Sequence, residues 1–191
     1  MSLLDSSELA GATCLYSFAQ IDNALTTLAQ AITAEYCTTH SNASSESVLV
    51  IGVMTGAIVV MGHLLPKLDI PIEVDYIHVS RYGDKLQGEQ LNWLAYPKQP
   101  LNGRSILLID DIFDEGVTLQ AVTRYCYEQG AHTVKSCVLL DKQHPRKVSH
   151  YSVDYTALHV VDRYVFGFGL DHANRYRNLP GIYALPDTTA T

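Results

Sequence analysis

The alternation of apolar and polar positions along the chain predicts a series of helices and buried strands. In residues 18–36, apolar side chains recur at spacings of three and four, which is typical of an amphipathic helix. Residues 48–54 form a near-continuous apolar run rich in β-branched residues, which predicts a strand buried on both faces. The same patterns predict further helices at 57–68 and 116–130, and further strands at 72–80, 105–109 and 133–140.

Strands and helices that alternate in this way predict an α/β fold with a mostly parallel central sheet and helices on both faces. Residues 82–100 show little periodicity and predict a loop of about 19 residues, a length typical of functional lids or disordered segments. After Asp141 the pattern weakens to two shorter strands, at 156–160 and 182–185. Ligands of such sheets bind at the carboxyl ends of the strands, where the strand order reverses.

Composition limits the class of protein. Of the 191 residues, 47% are apolar and 17% charged, and 13 Lys and Arg against 20 Asp and Glu give a net charge of -7. This describes one globular domain, and its acidic balance argues against a nucleic-acid coat, whose affinity depends on basic residues.

Four cysteines without zinc-site spacing predict reduced thiols. With no secretory signal and no apolar run of membrane-spanning length, the protein is predicted to be cytoplasmic and to bind no membrane.

Residues 106–118 carry the strongest indication of a ligand site. Four apolar residues lead into the adjacent carboxylates Asp110 and Asp111, and a turn with Gly116 then begins a helix. The unpaired N–H groups and the dipole of a helix N-terminus attract anions, whereas ionised carboxylates suit ribose hydroxyls or hydrated Mg²⁺. An anion site beside a diol site predicts a ribose phosphate. Helix capping by Asp114 and Glu115 is the simpler alternative, but it leaves the two preceding carboxylates unexplained.

Other common motifs are absent from the sequence. No Gly-x-x-x-x-Gly-Lys-Ser/Thr loop occurs, and the pair Gly167 and Gly169 is too short for a dinucleotide fingerprint. The eight histidines, among them His63, His78 and His144, show no metal-site spacing, so the sequence assigns them no chemistry.

The segment after the third predicted strand resembles the ribose 5-phosphate signature of the type I phosphoribosyltransferases. That signature reads as an apolar strand, two acidic residues, two further residues and Asp-Thr-Gly-x-Thr. The matching residues here are Asp110, Asp111, Asp114, Gly116 and Thr118, with Val117 between the last two. Glu115 stands where the family commonly has Thr. Because two like charges about 4 Å apart repel by about 4 kcal/mol at an effective dielectric of 20, we expect Glu115 to turn outward while backbone N–H groups hold the phosphate.

Four other segments resemble those of the hypoxanthine-guanine phosphoribosyltransferases in particular. They are the first loop at 53–57, the base-binding segment at 139–146, and the base- and pyrophosphate-binding segments at 164–171 and 175–179. The resemblance runs in the correct order from about residue 48 to 185. It implies a type I phosphoribosyltransferase fold with one domain over 1–191, a core at about 45–142, a small hood from the N- and C-terminal segments, and a flexible catalytic loop at about 81–100.

The resemblance implies transfer of a phosphoribosyl group from 5-phosphoribosyl 1-diphosphate to N9 of hypoxanthine or guanine, with release of pyrophosphate. Lys142 would pair with the 6-oxo group, Tyr164 would stack on the purine, and the backbone of Val165 would read the purine edge. Asp114 would act as a general base or acid at N7.

The resemblance also implies residues for pyrophosphate, metal and loop closure. Thr55 and Gly56 would form the pyrophosphate loop, although many relatives have Lys at the position of Thr55, and Arg177 would hold pyrophosphate. Arg81 and Tyr82 would belong to the mobile loop that excludes water, and Arg81, where Ser is common, is hypothesised to add positive charge. The carboxylates that would bind Mg²⁺ are Asp171, Asp110 and Asp111.

Two alternatives stay open at this point. One is a phosphoribosyltransferase with another base preference, of which xanthine fits Lys142 better than adenine does. The other is a non-catalytic regulator of the same fold that binds nucleotide or RNA, although the only dense basic stretch is 142–147. The implied partners are small-molecule substrates and no nucleic acid, and the family is commonly a homodimer or homotetramer.

Overall fold

The computed structural model describes residues 9, 11–39, 47–82 and 90–186, and for residues 39, 81, 82 and 90 it describes the backbone alone. A six-stranded sheet has the order β4-β3-β2-β5-β6-β7, and a separate three-stranded sheet has the order β1-β9-β8. The strands are β1 (Thr13–Tyr16), β2 (Val48–Met54), β3 (Ile72–Tyr82), β4 (Gln90–Ala95), β5 (Ser105–Phe113), β6 (Thr133–Gln143), β7 (Tyr155–Val161), β8 (Val165–Phe166) and β9 (Ile182–Ala184).

Three α-helices in the described ranges cover the two faces of the large sheet. They are α1 (Phe18–Thr39), α2 (Ala57–Leu64) and α3 (Val117–Glu128). Because side chains alternate across a strand, Val48 and Val50 of β2 pack with α1 and α2, whereas Leu49 and Ile51 pack in the core that contains α3. The strong apolar character of β2 therefore follows from burial on both faces, as the sequence predicts. No helix within the described ranges is long and apolar enough to span a membrane.

Strand order reverses between β2 and β5. From β2 the chain first adds β3 on one side, then β5, β6 and β7 on the other, and all of these pairings are parallel. Among the described strands of the large sheet, only the edge strand β4 pairs antiparallel, with β3. A crevice therefore opens at the carboxyl ends of β2 and β5, where ligands of such sheets bind.

The structure corrects the bounds of four predicted elements. The helix predicted over 57–68 ends at Leu64 and continues as a 3-10 turn, Leu65–Lys67, because Pro66 has no N–H to donate to the preceding turn. The segment 82–100 is not one loop, since β4 lies within it; residues 83–89 lie outside the described residues. The strands predicted at 105–109 and 133–140 are longer, because β5 and β6 keep pairing through Phe113 and Asp141.

The small sheet is built from segments near the two ends of the chain. β1 pairs antiparallel with β9, which in turn pairs antiparallel with β8. The sequence pattern predicts neither β1 nor β8, because β1 is four half-exposed residues and β8 only two. This sheet lies across the crevice from the large sheet and contributes Val165 to its lining.

Candidate active site

A cleft of about 400 Å³ lies at the carboxyl ends of β2 and β5. It brings together residues from five separate segments of the chain. The predicted site residues that line it are Thr55, Gly56, Asp110, Asp111, Asp114, Gly116, Thr118, Lys142, Tyr164, Val165, Asp171 and Arg177. The apolar side chains of Val53, Val79, Ile112, Leu119 and Leu170, which the sequence argument did not single out, complete much of the lining.

Two predicted residues lie outside this lining and two are described by backbone only. Glu115 and Val117 are absent from the cleft wall. The backbone carbonyl of Glu115 accepts a hydrogen bond from the N–H of Val148 at 2.8 Å. Arg81 and Tyr82 end β3 opposite Leu91 and Gln90, but their side chains lie outside the described residues.

The loop after β2 packs directly against one of the two adjacent carboxylates. The peptide bond between Met54 and Thr55 is cis. A Cβ atom at Gly56 would lie 2.3 Å from Oδ2 of Asp111, so no larger residue fits without displacing that carboxylate. This explains why glycine occupies the position, and it fixes the distance between the loop and β5.

The two adjacent carboxylates differ in environment. Oδ1 of Asp110 accepts the backbone N–H of Asp111 at 2.9 Å. The Asp111 carboxyl is only 14% exposed, and burial raises its pKa to about 6, although Arg177, 3.6 Å away, acts in the opposite direction. A buried carboxyl that pairs only loosely with its arginine is a candidate for binding a ligand hydroxyl or cation.

The turn between β5 and α3 presents an uncapped helix N-terminus to the cleft. Gly116 precedes the first helical residue and has a φ of +87°, which favours glycine, and a Cβ atom there would lie 2.3 Å from Cε2 of Phe113. No side chain caps this helix. The first N–H groups of α3 are therefore available at the cleft, beside the side chain of Thr118.

Asp114 has both carboxylate oxygens engaged by side chains from the end of β6. Lys142 Nζ donates to Oδ2 at 2.7 Å, and His144 Nε2 lies 2.5 Å from Oδ1. Burial acts to raise the pKa of Asp114, but the hydrogen bonds and charges of these two neighbours outweigh it, so the pKa is lowered. Asp114 is therefore held as a carboxylate at the cleft wall.

His144 is the polar residue near this site that the sequence argument missed. The spacings typical of metal sites join residues a few positions apart, so they do not connect His144 with Asp114, which is 30 positions away. The only local signal is its position two residues after Lys142, in the segment identified as base-binding.

Arg177 links the two sides of the cleft. Its Nη2 pairs with Oδ1 of Asp171 at 2.7 Å, and its Nη1 donates to the backbone carbonyl of Gly169. Oδ2 of Asp171 accepts the backbone N–H of Asn174 at 2.9 Å. Tyr164 is 52% exposed, and its hydroxyl donates to the backbone carbonyl of Asp171 at 3.3 Å, which leaves its ring accessible for stacking.

A parallel sheet with an uncapped helix N-terminus, two carboxylates and a basic residue at its switch point is typical of α/β proteins that bind phosphorylated ligands. A family model described as "Phosphoribosyl transferase domain" matches residues 19–175, and the chain belongs to this family.

Relatives within the family carry more specific names. The hypoxanthine-guanine phosphoribosyltransferase of Bacillus subtilis is 34% identical over 172 residues, which are 90% of this chain and 91% of that protein. The enzyme of the same name from Aquifex aeolicus is 31% identical and covers 74% of this chain and 80% of its own. The hypoxanthine-guanine-xanthine phosphoribosyltransferase of Tritrichomonas foetus is 34% identical over 75% of this chain and 78% of its own.

Solved structures agree with this placement. A ternary substrates complex of Trypanosoma cruzi hypoxanthine phosphoribosyltransferase has a TM-score of 0.84 and 27% identity, with 94% of this chain and 97% of that chain covered. A hypoxanthine-guanine phosphoribosyltransferase of Bacillus anthracis has a TM-score of 0.79 and 26% identity, with 91% and 97% covered. The type I phosphoribosyltransferase fold expected from the sequence is confirmed.

Proposed function

We propose that the cleft transfers a phosphoribosyl group from 5-phosphoribosyl 1-diphosphate to N9 of hypoxanthine or guanine, giving IMP or GMP and pyrophosphate. The observation that carries this proposal is that one cleft contains a helix N-terminus without a side-chain cap, a carboxylate pair and a lysine, together with an exposed aromatic ring. The relatives of the chain show that it is a phosphoribosyltransferase of purine salvage. The residues of the cleft are the candidates for binding the substrates and for catalysis.

The 5-phosphate of the substrate would bind at the start of α3. The N–H groups of Gly116, Val117 and Thr118 and the Thr118 hydroxyl are the donors that support this role. Asp110 and Asp111 would accept hydrogen bonds from the 2- and 3-hydroxyls of the ribose, since ionised carboxylates only accept. Glu115 is not among the residues that line the cleft, which supports the expectation that its carboxylate would turn away from the phosphate.

The purine would bind between Tyr164 and the end of β6. Tyr164 would stack on the base, a contact that contributes about 1–3 kcal/mol, and the backbone of Val165 would read the purine edge. Lys142 would donate to the 6-oxo group, and it has no acceptor to offer the 6-amino group of adenine. Base selection would therefore depend on Lys142.

The transfer replaces one bond at C1 of the ribose by another. The bond from C1 to the pyrophosphate oxygen breaks, and the bonding pair leaves with pyrophosphate, which Arg177 and the Thr55–Gly56 loop would bind. The N9 lone pair forms the new bond to C1. The proton on N7 of the purine passes to the Asp114 carboxylate, which the lowered pKa keeps in the accepting form.

Mg²⁺ fits the acidic residues of this cleft as a substrate-bound ion. Within the part of the chain that the structure describes, no three His, Cys, Asp or Glu side chains form a preformed metal site. Mg²⁺ is commonly held by one or two carboxylates together with substrate phosphates, so a closed cluster is not required. Asp171 and the Asp110–Asp111 pair would hold it, and the ion would neutralise charge on the leaving pyrophosphate.

A homodimer or homotetramer is the assembly that we propose for this chain. A structure of the Trypanosoma cruzi relative concerns its C-terminal region and oligomeric state. In this chain, Val74 and Tyr76 on β3 and Leu94 on β4 are large apolar side chains that are 41–54% exposed at one edge of the large sheet. A second copy of the chain is the proposed cover for this surface. The cytoplasmic location stays a prediction.

A direct test measures nucleotide formation from 5-phosphoribosyl 1-diphosphate with each of hypoxanthine, guanine, xanthine and adenine, with Mg²⁺ and with a chelator. We expect turnover of hypoxanthine and guanine with Mg²⁺, little turnover of adenine, and loss of turnover with the chelator. Turnover of xanthine alone would favour the alternative, xanthine-preferring enzyme. Turnover of hypoxanthine, guanine and xanthine together would match the name of the Tritrichomonas foetus relative. No turnover of any base would contradict the proposal.

Replacing Lys142 by Gln is expected to lower kcat/KM for hypoxanthine about 10- to 100-fold, because a hydrogen bond from a charged donor contributes about 1.5–3 kcal/mol. The ratio of hypoxanthine to adenine turnover should fall with it, since the Gln amide oxygen can accept from a 6-amino group. Competition assays with the two bases measure this ratio. Lys98→Gln, on an exposed residue outside the cleft, is the matched control. An unchanged ratio would exclude Lys142 as the base-selecting residue.

A further inference from the structure

His144 lies at the end of β6 with its side chain fully buried against Asp114. Its Nε2 is 2.5 Å from Oδ1 of that carboxylate, while Lys142 Nζ is 2.7 Å from Oδ2. The two donors therefore approach different oxygens of the same group. If one of the two side chains moves away, the other still donates to its own oxygen of Asp114 and leaves the second oxygen without that donor.

A backbone N–H group determines which tautomer the His144 imidazole adopts. The N–H of Arg146 donates to Nδ1 of His144 at 3.0 Å, so Nδ1 is an acceptor and the ring proton is placed on Nε2. His144 Nε2–H then donates to Asp114. The Arg146 side chain is itself held by a two-point ion pair with Asp162, at 2.7 and 2.8 Å, which anchors the segment that carries this N–H.

We propose that His144 is the positioning residue for Asp114 in the phosphoribosyl transfer. This inference rests on the proposed role of Asp114 as the acceptor of the N7 proton. When Lys142 turns to the 6-oxo group of the purine, Asp114 loses its donor on Oδ2, and that oxygen becomes the one that faces N7. His144 stays on Oδ1, so the carboxylate keeps its orientation and a donor that favours its ionised form.

The charged groups that face this pair set the expected direction of its pH dependence. Lys142 on β6 pairs with Asp114, the charge of Arg146 interacts with Asp114 and Glu115, and the charge of Asp162 interacts with His144 and Lys142. Removing the donor on Oδ1 leaves these neighbours in place and raises the pKa of Asp114. Loss of the ionised base then begins at a higher pH.

The test compares two substitutions of His144, by Gln and by Asn. Their side-chain amides differ in length, so only one of them can place an N–H group near the position of Nε2. His144→Gln can place a side-chain N–H near the position of Nε2, whereas His144→Asn is too short to reach Asp114. We expect His144→Asn to lower kcat for IMP formation about 10-fold or more, as for loss of a hydrogen bond to a charged group, and His144→Gln to restore it to within about threefold. The acid limb of kcat/KM should move to higher pH in His144→Asn alone.

Controls separate this inference from the proposed role of Asp114. His132→Asn, at an exposed histidine before β6, should leave activity unchanged. His144→Asn added to Asp114→Asn should cause no further loss, because the histidine would act only through that carboxylate. If His144→Asn does not fold, His144→Ser, which also lacks a donor that reaches Asp114, replaces it in both comparisons.

Two results would overturn the inference. One is equal impairment of the Gln and Asn variants, which indicates packing alone. The other is that both variants keep the kcat of the unsubstituted protein and show the acid limb of kcat/KM at the same pH. An active Asp114→Asn variant would instead overturn the proposed role of Asp114, so the two failures are distinguishable.

Discussion

Replacing Asp114 by Asn is expected to lower kcat for IMP and GMP formation by about 10²-fold, because a positioned general base typically contributes at least that much. Asn keeps the shape of the side chain and can still contact Lys142 and His144, but it cannot accept the N7 proton. Steady-state rates at saturating 5-phosphoribosyl 1-diphosphate measure the change. The acid limb that Asp114 causes in the profile of kcat/KM should disappear in the variant.

The direction of that limb follows from the contacts of the carboxyl. Lys142 and His144 lower the pKa of Asp114 against the effect of burial, so the base stays ionised at neutral pH and is lost only in acid. Asp69→Asn, at an exposed residue after α2, is the control and should leave the rate unchanged. A rate within a few-fold of the unsubstituted protein for Asp114→Asn would assign the proton to another acceptor.

The parallel core could be predicted from the sequence because its strands are buried on both faces. Val48 to Val53 are nearly all inaccessible, so every position in that run must be apolar, and the pattern leaves little choice of structure. The edge strand β4 gives no such pattern. Its side chains alternate between half-buried and exposed, and only one face, with Leu91 and Trp93, packs against the core that contains α3. The prediction of one long loop over 82–100 is therefore wrong.

The carboxylates and the glycine turn of the site could be predicted because they are adjacent in sequence. Asp110, Asp111 and Gly116 lie within seven residues, and the turn that they form is local. The ion pairs across the cleft are not local. Arg177 and Asp111 are 66 positions apart and meet across the cleft, and His144 meets Asp114 across the ends of β5 and β6, so no spacing rule predicts either contact.

Replacing Asp111 by Asn is expected to stabilise the ligand-free protein at neutral pH while it removes activity. Burial raises the pKa of Asp111 in the folded protein to about 6, above the value of 3.8 for an unperturbed carboxyl. Its contribution to stability is therefore fully present below pH 3.8 and is lost as the pH rises through 6. Asn does not titrate, so the free-energy difference between the variant and the unsubstituted protein should grow by about 2 kcal/mol between pH 4.5 and 7.5.

Urea unfolding at both pH values, without Mg²⁺ or substrate, measures this difference, and Asp69→Asn is again the control. Carboxyls with lowered pKa values, such as Asp114 and Asp162, add stability as the pH rises, but they do so equally in both proteins and cancel. A difference that does not change with pH would mean that Arg177 already compensates the buried charge. A difference that grows as expected would mean that the chain retains a destabilising carboxylate at this position, as active sites do when a ligand needs the charge.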